Sequence, residues 1–359
     1  MGNMAKKDNA FKDILGLIEN DYASVVSDGT YSDVSGYIDT GSYTLNALLS
    51  GSIFKGLPNN KITAFAGEPA TGKTYFALSI LKHFLNSNPS GLGIIFESEG
   101  ALDKQMLEQR GLDLKRILIV PVETVQQFKT QAIRIIENYL KKDETEKRPI
   151  FLMLDSLGML STTKEMGDSE SGKEVKDMTR TQEIKAAFRV VTLKLSKAKL
   201  PLLVTNHVYQ TMGMFPTKEM AGGGGLKYAA SSIIALGKSK DKDSEGNLTG
   251  AIIRCKNSKG RLTREGAEAT TLLSQKAGLD RYYGLVDLAV EHGIFKKVST
   301  KIELPDGKAV FEKHITNNPE KYFTDEVLSL LDVAANKEYL YGISDAEDTV
   351  EELLNESDS

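Results

Sequence analysis

The stretch GEPATGKT, Gly67 to Thr74, constrains the chain more than any other, because it fits G-x-x-x-x-G-K-[ST] in full. An apolar, β-prone run, KITAFAG, precedes it, and a helix-period segment, TYFALSILKHFL, follows. That context predicts a strand, a phosphate-binding loop and a helix N-terminus in succession. Gly67 and Gly72 let backbone N–H groups fold around phosphate, with Glu68, Pro69, Ala70 and Thr71 completing the cradle. Lys73 is expected to reach the β/γ-phosphates, and the Thr74 hydroxyl to ligate Mg2+.

The same alternation continues along the chain. GLGIIFESE (91–99), RILIVPVE (116–123), PIFLMLDSL (149–157) and PLLVTN (201–206) read as buried strands, each preceded or followed by a helical segment. In the long helical segment before PLLVTN, Ile184, Phe188, Val191 and Leu195 repeat at helical spacing and mark a core-facing stripe. SSIIALG (231–237), AIIRC (251–255) and EATTLLS (268–274) then follow without intervening helices. The expected fold is α/β, a doubly wound and mainly parallel sheet with an antiparallel extension.

A phosphate loop alone hydrolyses nothing, so acids are needed at the same sheet edge. Asp155 ends PIFLMLDS, where a carboxylate holds Mg2+ through water. Glu97 and Glu99, in FESEGALD, close a second strand there. A carboxylate so placed can orient or deprotonate the attacking water; Glu99 is taken for that role and Glu97 for the metal's outer shell.

Composition narrows the rest. The chain has 359 residues, a single cysteine, Cys255, and four scattered histidines, His83, His207, His292 and His314. An internal disulfide is excluded and structural zinc is not expected. The beginning has no apolar leader run, and no apolar run is long enough to span a membrane, so a cytoplasmic location is expected, the host cytoplasm if the protein is phage-encoded. Net charge is −4, but the final sixteen residues, SDAEDTVEELLNESDS, carry seven carboxylates and no base. The body is therefore close to neutral, and the tail is either a solubilising arm or a competitor for a basic groove.

The order of these motifs, from YIDTGSYTLNALLSG through GEPATGKT, FESEGALD, LDSLGML, DMTRTQEIKAAFRVVT, LLVTNHVYQT and AGGGGLKYAAS to CKNSKGRL, resembles the RecA family of homologous-recombination proteins. The resemblance is greater to its phage branch, the T4 UvsX type, and runs over roughly residues 37 to 290. It implies a RecA-like ATPase core over 37–290, with an N-terminal helix and strand for protomer contact over 1–36. A small C-terminal region (291–343) and an acidic tail (344–359) would complete the chain. Phe11, Ile14, Leu15 and Ile18 share one face of that N-terminal helix, and YASVV reads as its strand. Burying them against the next copy would give a head-to-tail contact that propagates as a helix.

The resemblance also assigns roles. His207, at the tip of PLLVTNH, would sense the γ-phosphate; bacterial members have glutamine there, and the UvsX type also has histidine. VYQTMGMFPTKEMA would be a DNA-binding loop, with Lys218 a basic contact and Met214 and Phe215 able to wedge between bases. Gly222, Gly223, Gly224 and Gly225 would be its hinge, their amides free to donate to DNA phosphates. STTKEMGDSESGKEVKDMTR would be the other DNA loop, with Lys164, Lys173 and Arg180 the basic contacts. In RCKNSKGRLTR, Lys256 and Lys259 would cross to the neighbour's ATP, with the second assignment shifted in register. Asp103 would meet the adenine amine, while Met106 stands where bacterial members stack a tyrosine on the base.

The implied protein hydrolyses ATP with Mg2+ and forms helical homo-oligomers on single-stranded DNA, with ATP between protomers. It would pair that strand with homologous double-stranded DNA, aided by a single-stranded DNA-binding protein and a loader. Two rivals share the core. A hexameric helicase needs a larger N-terminal ring-building domain than residues 1–36 provide, and a non-catalytic mediator could dispense with Glu99, which this chain keeps.

Overall fold

Strands covered on both faces must be largely apolar, as ITAFAG, GIIF and FLML are, whereas Ile117–Pro121, expected to be buried, is a partly exposed strand at the edge of the sheet with Leu118 exposed. The computed structural model describes residues 11–171, 179–210, 218–242, 248–275 and 277–342. In chain order it begins with α1 (Lys12–Leu15), β1 (Tyr37–Ile38), α2 (Tyr43–Ser50), β2 (Leu57–Pro58), β3 (Ile62–Gly67) and α3 (Lys73–Ser87). It continues with β4 (Leu92–Glu97), α4 (Lys104–Gln109), β5 (Ile117–Pro121), α5 (Val125–Leu140), β6 (Ile150–Asp155) and α6 (Thr163–Glu170). Next come α7 (Arg180–Ala198), β7 (Leu202–Gln210), β8 (Lys218–Met220), α8 (Gly224–Ala229), β9 (Ser232–Lys242), β10 (Leu248–Gly260), β11 (Glu268–Ser274) and β12 (Gly278–Leu279). The last elements are α9 (Leu285–Glu291), β13 (Lys296–Val298), β14 (Lys301–Glu303), β15 (Ala309–Val310), α10 (Glu312–Asn317), α11 (Pro319–Tyr322) and α12 (Asp325–Tyr339).

Among the described residues the central sheet has ten strands in the order β12-β11-β10-β9-β3-β7-β6-β4-β5, with β8 paired to β7. From β9 to β5 every neighbouring pair is parallel, and from β9 to β12 every pair is antiparallel. Alternation along each strand feeds two cores. Phe65, Ile95, Phe151, Met153 and Leu203 meet α2, α3 and α12 on one face. Ala64, Phe96, Leu152, Leu154 and Val204 meet α5, α7 and α8 on the other. Ile184, Phe188, Val191 and Leu195 are fully buried in the second core, so the stripe read from the sequence faces inward as expected.

Helix α12 joins the first core through Leu331, Ala334 and Ala335. Asp332 on it accepts from Ser52 Oγ (2.6 Å) and Ile53 N (2.8 Å), the turn after α2. The N-terminal end differs from expectation. Residues 22–25 form turns and irregular chain leading to a 3-10 turn at Val26–Asp28, rather than a strand. A strand needs a partner for its N–H and C=O groups, and no described strand pairs with this stretch. Phe11, Ile14 and Ile18 are exposed, and Leu15 is half-buried. No helix among the described residues is long and apolar enough to cross a membrane.

Candidate active site at the carboxyl edge of the sheet

Parallel register sets the site. Gly67 pairs with His207, Leu154 with Val204, and Glu97 with Asp155, so the ends of β3, β7, β6 and β4 come level at one edge. This is the edge at which open α/β sheets bind ligands.

The phosphate loop springs from β3. A Cβ at Gly67 would sit 2.8 Å from Thr71 Oγ1 and 3.2 Å from the Leu236 carbonyl, so a side chain there would crowd the loop against β9. Thr71 Oγ1 donates to the Glu68 carbonyl (2.8 Å), Gly72 adopts φ +88°, and Glu68, Pro69 and Ala70 form an exposed apex. Lys73 is buried and donates to the Gly67 (3.1 Å) and Glu68 (3.0 Å) carbonyls. Burial lowers its pKa, opposed by the nearby charges of Glu99 and Asp155. Lys238 on β9, which the sequence reading missed, donates to the Ala70 carbonyl at 3.0 Å.

Asp155 is 4% exposed and accepts from Thr205 Oγ1 and from the Thr74 hydroxyl. Burial raises its pKa, so a cation at this point would relieve an ionised carboxylate that the fold disfavours. A hydroxyl and one carboxylate are hard oxygen donors suited to Mg2+, which takes few protein ligands beside phosphate and water. The residues present therefore fit a Mg2+-bound nucleoside triphosphate.

Glu99 lies beside them. Its Oε1 accepts from Ser156 Oγ at 2.7 Å, and His207 Nε2 is 2.9 Å from the same oxygen, the distance of an N–H donated to a carboxylate. Burial raises the Glu99 pKa, but the bonds from Ser156 and His207 outweigh it, and the net shift is downward. Ser98 ties the two strand ends together, because its Oγ donates to the Ser156 carbonyl (2.8 Å) and receives the Ser156 N–H (2.9 Å). Glu97 is used differently from expectation. Its buried Oε1 accepts from the Glu99 and Ala101 N–H groups, both at 3.0 Å, and shapes the turn that carries Glu99.

His207 is wired to the loop beyond it. Its N–H donates to Asn206 Oδ1 (3.0 Å), Asn206 Nδ2 donates to the Ala221 carbonyl (2.9 Å), and the Ala221 N–H returns to the His207 carbonyl (2.8 Å). The expected DNA loop is narrower than its sequence span. Val208, Tyr209 and Gln210 pair with Met220, Glu219 and Lys218 as the base of a hairpin, while Met214 and Phe215 lie outside the described residues.

The four glycines divide into two jobs. Gly222 (φ +79°) and Gly223 (φ +65°) make the left-handed turn that leaves the hairpin. Gly224 opens α8, and Gly225 is buried against α7, where a Cβ would meet Ile184 Cγ2 at 2.6 Å and Lys185 N at 3.0 Å. The Gly225 amide is therefore not open to a DNA phosphate, which corrects that part of the expectation. A Gly225→Val variant should lose about 1–3 kcal/mol of stability through overpacking. Urea unfolding at an unchanged midpoint would show that α7 and α8 tolerate separation.

The other basic expectations fare unequally. Residues 163–170 form α6, closed by a capping box in which Thr162 and Glu165 bond each other's backbone N–H. The T-x-x-E signal was present in STTKEM and is the cue that would have found it. Lys164 is exposed on α6, and Lys173 lies outside the described residues. Arg180 is not turned to the loop; its guanidinium donates to the Leu160 (3.0 Å) and Gly158 (2.8 Å) carbonyls and holds that turn. Lys218 closes the hairpin base through its backbone. Asp103 N-caps α4, its Oδ1 accepting from the Met106 N–H at 2.7 Å, and Met106 is half-buried.

Lys256 and Lys259 do not join their own phosphate loop. Lys256 pairs across β9 with Ala235, on the sheet face opposite Leu236 and Cys255, and its Nζ is 3.2 Å from Glu268. Lys259 lies opposite Ile233, and its Nζ donates to the Lys227 and Ala230 carbonyls at the end of α8.

The family model described as RecA N-terminal domain matches residues 9–279. The "Recombination and repair protein" of Enterobacteria phage T4 is 30% identical over 253 residues, covering 70% of this chain and 63% of that protein. "Protein RecA" of Clavibacter michiganensis subsp. michiganensis is 25% identical over 294 residues, or 79% of this chain and 76% of that one. "Protein RecA" of Thermus aquaticus is 26% identical over 295 residues, or 79% and 81%. The chain thus spans less than two thirds of the phage relative's length.

Proposed function

The chain belongs to the RecA family, and from that premise we propose that it is an ATP-dependent DNA strand-exchange recombinase. It assembles as a helical filament on single-stranded DNA, with ATP and Mg2+ between protomers. It pairs the bound strand with homologous double-stranded DNA and hydrolyses ATP to recycle the filament. A single-stranded DNA-binding protein and a loader are its expected helpers. One observation carries the reading: Glu99, beside the phosphate loop, is held by His207, whose strand runs directly into the β7–β8 hairpin.

ATP and Mg2+ supply the scissile phosphoanhydride and the charge that makes it labile. With nucleotide bound, Lys73 would exchange its loop carbonyls for phosphate oxygens, and Thr74 and Asp155 are the residues that would hold the metal. Ser156 and His207 both bond Oε1 of Glu99, which leaves Oε2 to orient the attacking water and take its proton. Once His207 turns from Glu99 to the γ-phosphate, the Asn206–Ala221 bonds carry its displacement to the hairpin and the Gly222–Gly223 turn. The exposed Phe11, Ile14 and Ile18 are the face available to a second copy.

The resulting contacts with single-stranded DNA, from Lys164, Lys173, Lys218, Met214 and Phe215, would be sequence-independent and weakened by salt. Single-stranded DNA should stimulate ATP hydrolysis, and the protein should exchange strands between a circular single strand and a homologous linear duplex. ATP turnover indifferent to DNA, with no joint molecules formed, would remove the recombinase reading.

Burial, followed by repulsion from Arg261, lowers the Lys259 pKa to about 8, so its charge is present below that pH and lost above it. If Lys259 serves the neighbour's ATP, DNA-stimulated turnover should fall as pH rises through about 8. Arginine stays protonated, so Lys259→Arg should flatten that limb. An alkaline limb that persists unchanged in Lys259→Arg would assign it to another group.

A further inference from the structure

Two lysines can act on a neighbouring copy only from a strand held in one place, and β10 loses part of its support where Lys256 and Lys259 stand. Its ladder with β11 ends at the Lys256–Glu268 pair, while its ladder with β9 runs on to Gly260. Residue 258 is extra in that second ladder, because Asn257 pairs with Ile234 and Lys259 with Ile233. Ala235, opposite Lys256, and Ile233 share one face of β9, so the bulge returns Lys259 to the face of Lys256. In a regular strand two residues three apart would point to opposite sides.

The end of α12 supplies the missing support. The Arg264 N–H donates to the Tyr339 carbonyl (2.8 Å), and the Arg264 guanidinium donates to the Lys337 carbonyl (2.7 Å) and to that of Glu338. The last carbonyls of a helix have no intrahelical donor, so Arg264 satisfies them and is fixed by them. Tyr341 closes the turn: its hydroxyl donates to the Gly260 carbonyl (3.2 Å) and accepts the Glu265 N–H (3.1 Å). The Tyr339 hydroxyl donates to the carbonyl of Glu268 (3.2 Å), the residue directly opposite Lys256. Residues 337–341 thus grip the chain on both sides of the 260–265 turn. Leu331, Ala334 and Ala335 already seat α12 in the first core, and the Tyr341 ring is exposed, so these polar bonds are not what holds the helix down.

We propose that Tyr341 and Arg264 are positioning residues, which clamp the 260–265 turn to the end of α12 and thereby set where Lys256 and Lys259 meet the neighbour's nucleotide. This rests on the reading in which those lysines act in trans. The C-terminal helix then serves the reaction through the hairpin alone. Small play in the hairpin matters, since a misplacement of about 1 Å far from the chemistry can cost about 100-fold in rate.

Tyr341→Phe removes only a hydroxyl from an exposed ring and should melt as wild type. Its DNA-stimulated turnover at saturating ATP should fall roughly 10-fold. Sidedness identifies the cause, because a loose hairpin harms only the interface to which that protomer lends its lysines. Lys73→Ala lends an intact hairpin to the intact loop of Tyr341→Phe, so their equimolar mixture should turn over about twofold faster, per total protein, than Tyr341→Phe alone. A mixture with Lys256→Ala should gain nothing. Arg264→Met, which keeps an apolar stem and loses the guanidinium, should behave alike; should it fail to fold, Tyr341→Phe decides. Wild-type turnover in Tyr341→Phe, or activity that Lys73→Ala merely dilutes, would overturn the clamp. The mixture of Lys256→Ala with Lys73→Ala keeps the two claims apart. If it regains activity while the Tyr341→Phe mixture does not, this inference alone fails; if it stays inactive, the lysines do not act in trans and both fall.

Discussion

A Glu99→Gln protein binds ATP and single-stranded DNA but hydrolyses ATP about 10²- to 10⁴-fold more slowly, the loss typical of a removed general base. The amide keeps the shape of the carboxylate and can still accept from Ser156 and His207 at Oε1. What disappears is the basicity of the second oxygen, so assembly survives and turnover does not. Because the net pKa shift of Glu99 is downward, the wild-type carboxylate is ionised throughout the neutral range. Single-turnover hydrolysis measured beside nucleotide binding separates the two effects. Turnover at the wild-type rate would remove Glu99 from the base role and leave Asp155 as the acid to examine.

Lys256→Ala should cost about as much as losing an arginine finger, on the order of 10³-fold in turnover, although Lys256 is on the sheet face away from its own phosphate loop. The loss should be repaired in trans. Lys73→Ala lacks the loop lysine but keeps Lys256, and a Lys256→Ala neighbour keeps the loop, so one class of mixed interface is complete. In an equimolar mixture roughly a quarter of head-to-tail interfaces would have that composition, and activity absent from either variant alone should return. Glu268 holds Lys256 in the single protomer, at 3.2 Å, and would have to yield it to the neighbour's phosphates. A mixture as inactive as its parts would place Lys256 outside the reaction.

What the sequence disclosed follows from where chemistry fixes spacing. Phosphate demands the Gly67–Thr74 pattern at fixed offsets, and two-faced burial demands the unbroken apolar strands, so both were legible. Ser156 and Ser98 were not. A serine after an apolar strand has no distinctive neighbours in sequence, and its role exists only because β4 and β6 pair and bring residues 98 and 156 together. Arg180 and Lys256 share one charge but not one duty: carbonyls of the Gly158–Leu160 turn consume the first, and a strand face away from the loop presents the second. Charge in a sequence says nothing about which backbone carbonyls lie within reach. The glycine run misled for a related reason, since only the packing of α8 on Ile184 tells a buried glycine from a hinge. The residues 22–25 lack a strand because β-propensity needs a partner, and a partner from another copy is beyond a single chain.

The central claim is that nucleotide joins one protomer's phosphate loop to the next protomer and so builds a filament on DNA. Electron microscopy of the full chain on single-stranded DNA, with a non-hydrolysable ATP analogue and without nucleotide, tests it most directly. The account predicts open helical filaments only where nucleotide is present. Closed rings, bare DNA, or identical filaments with and without nucleotide would contradict it.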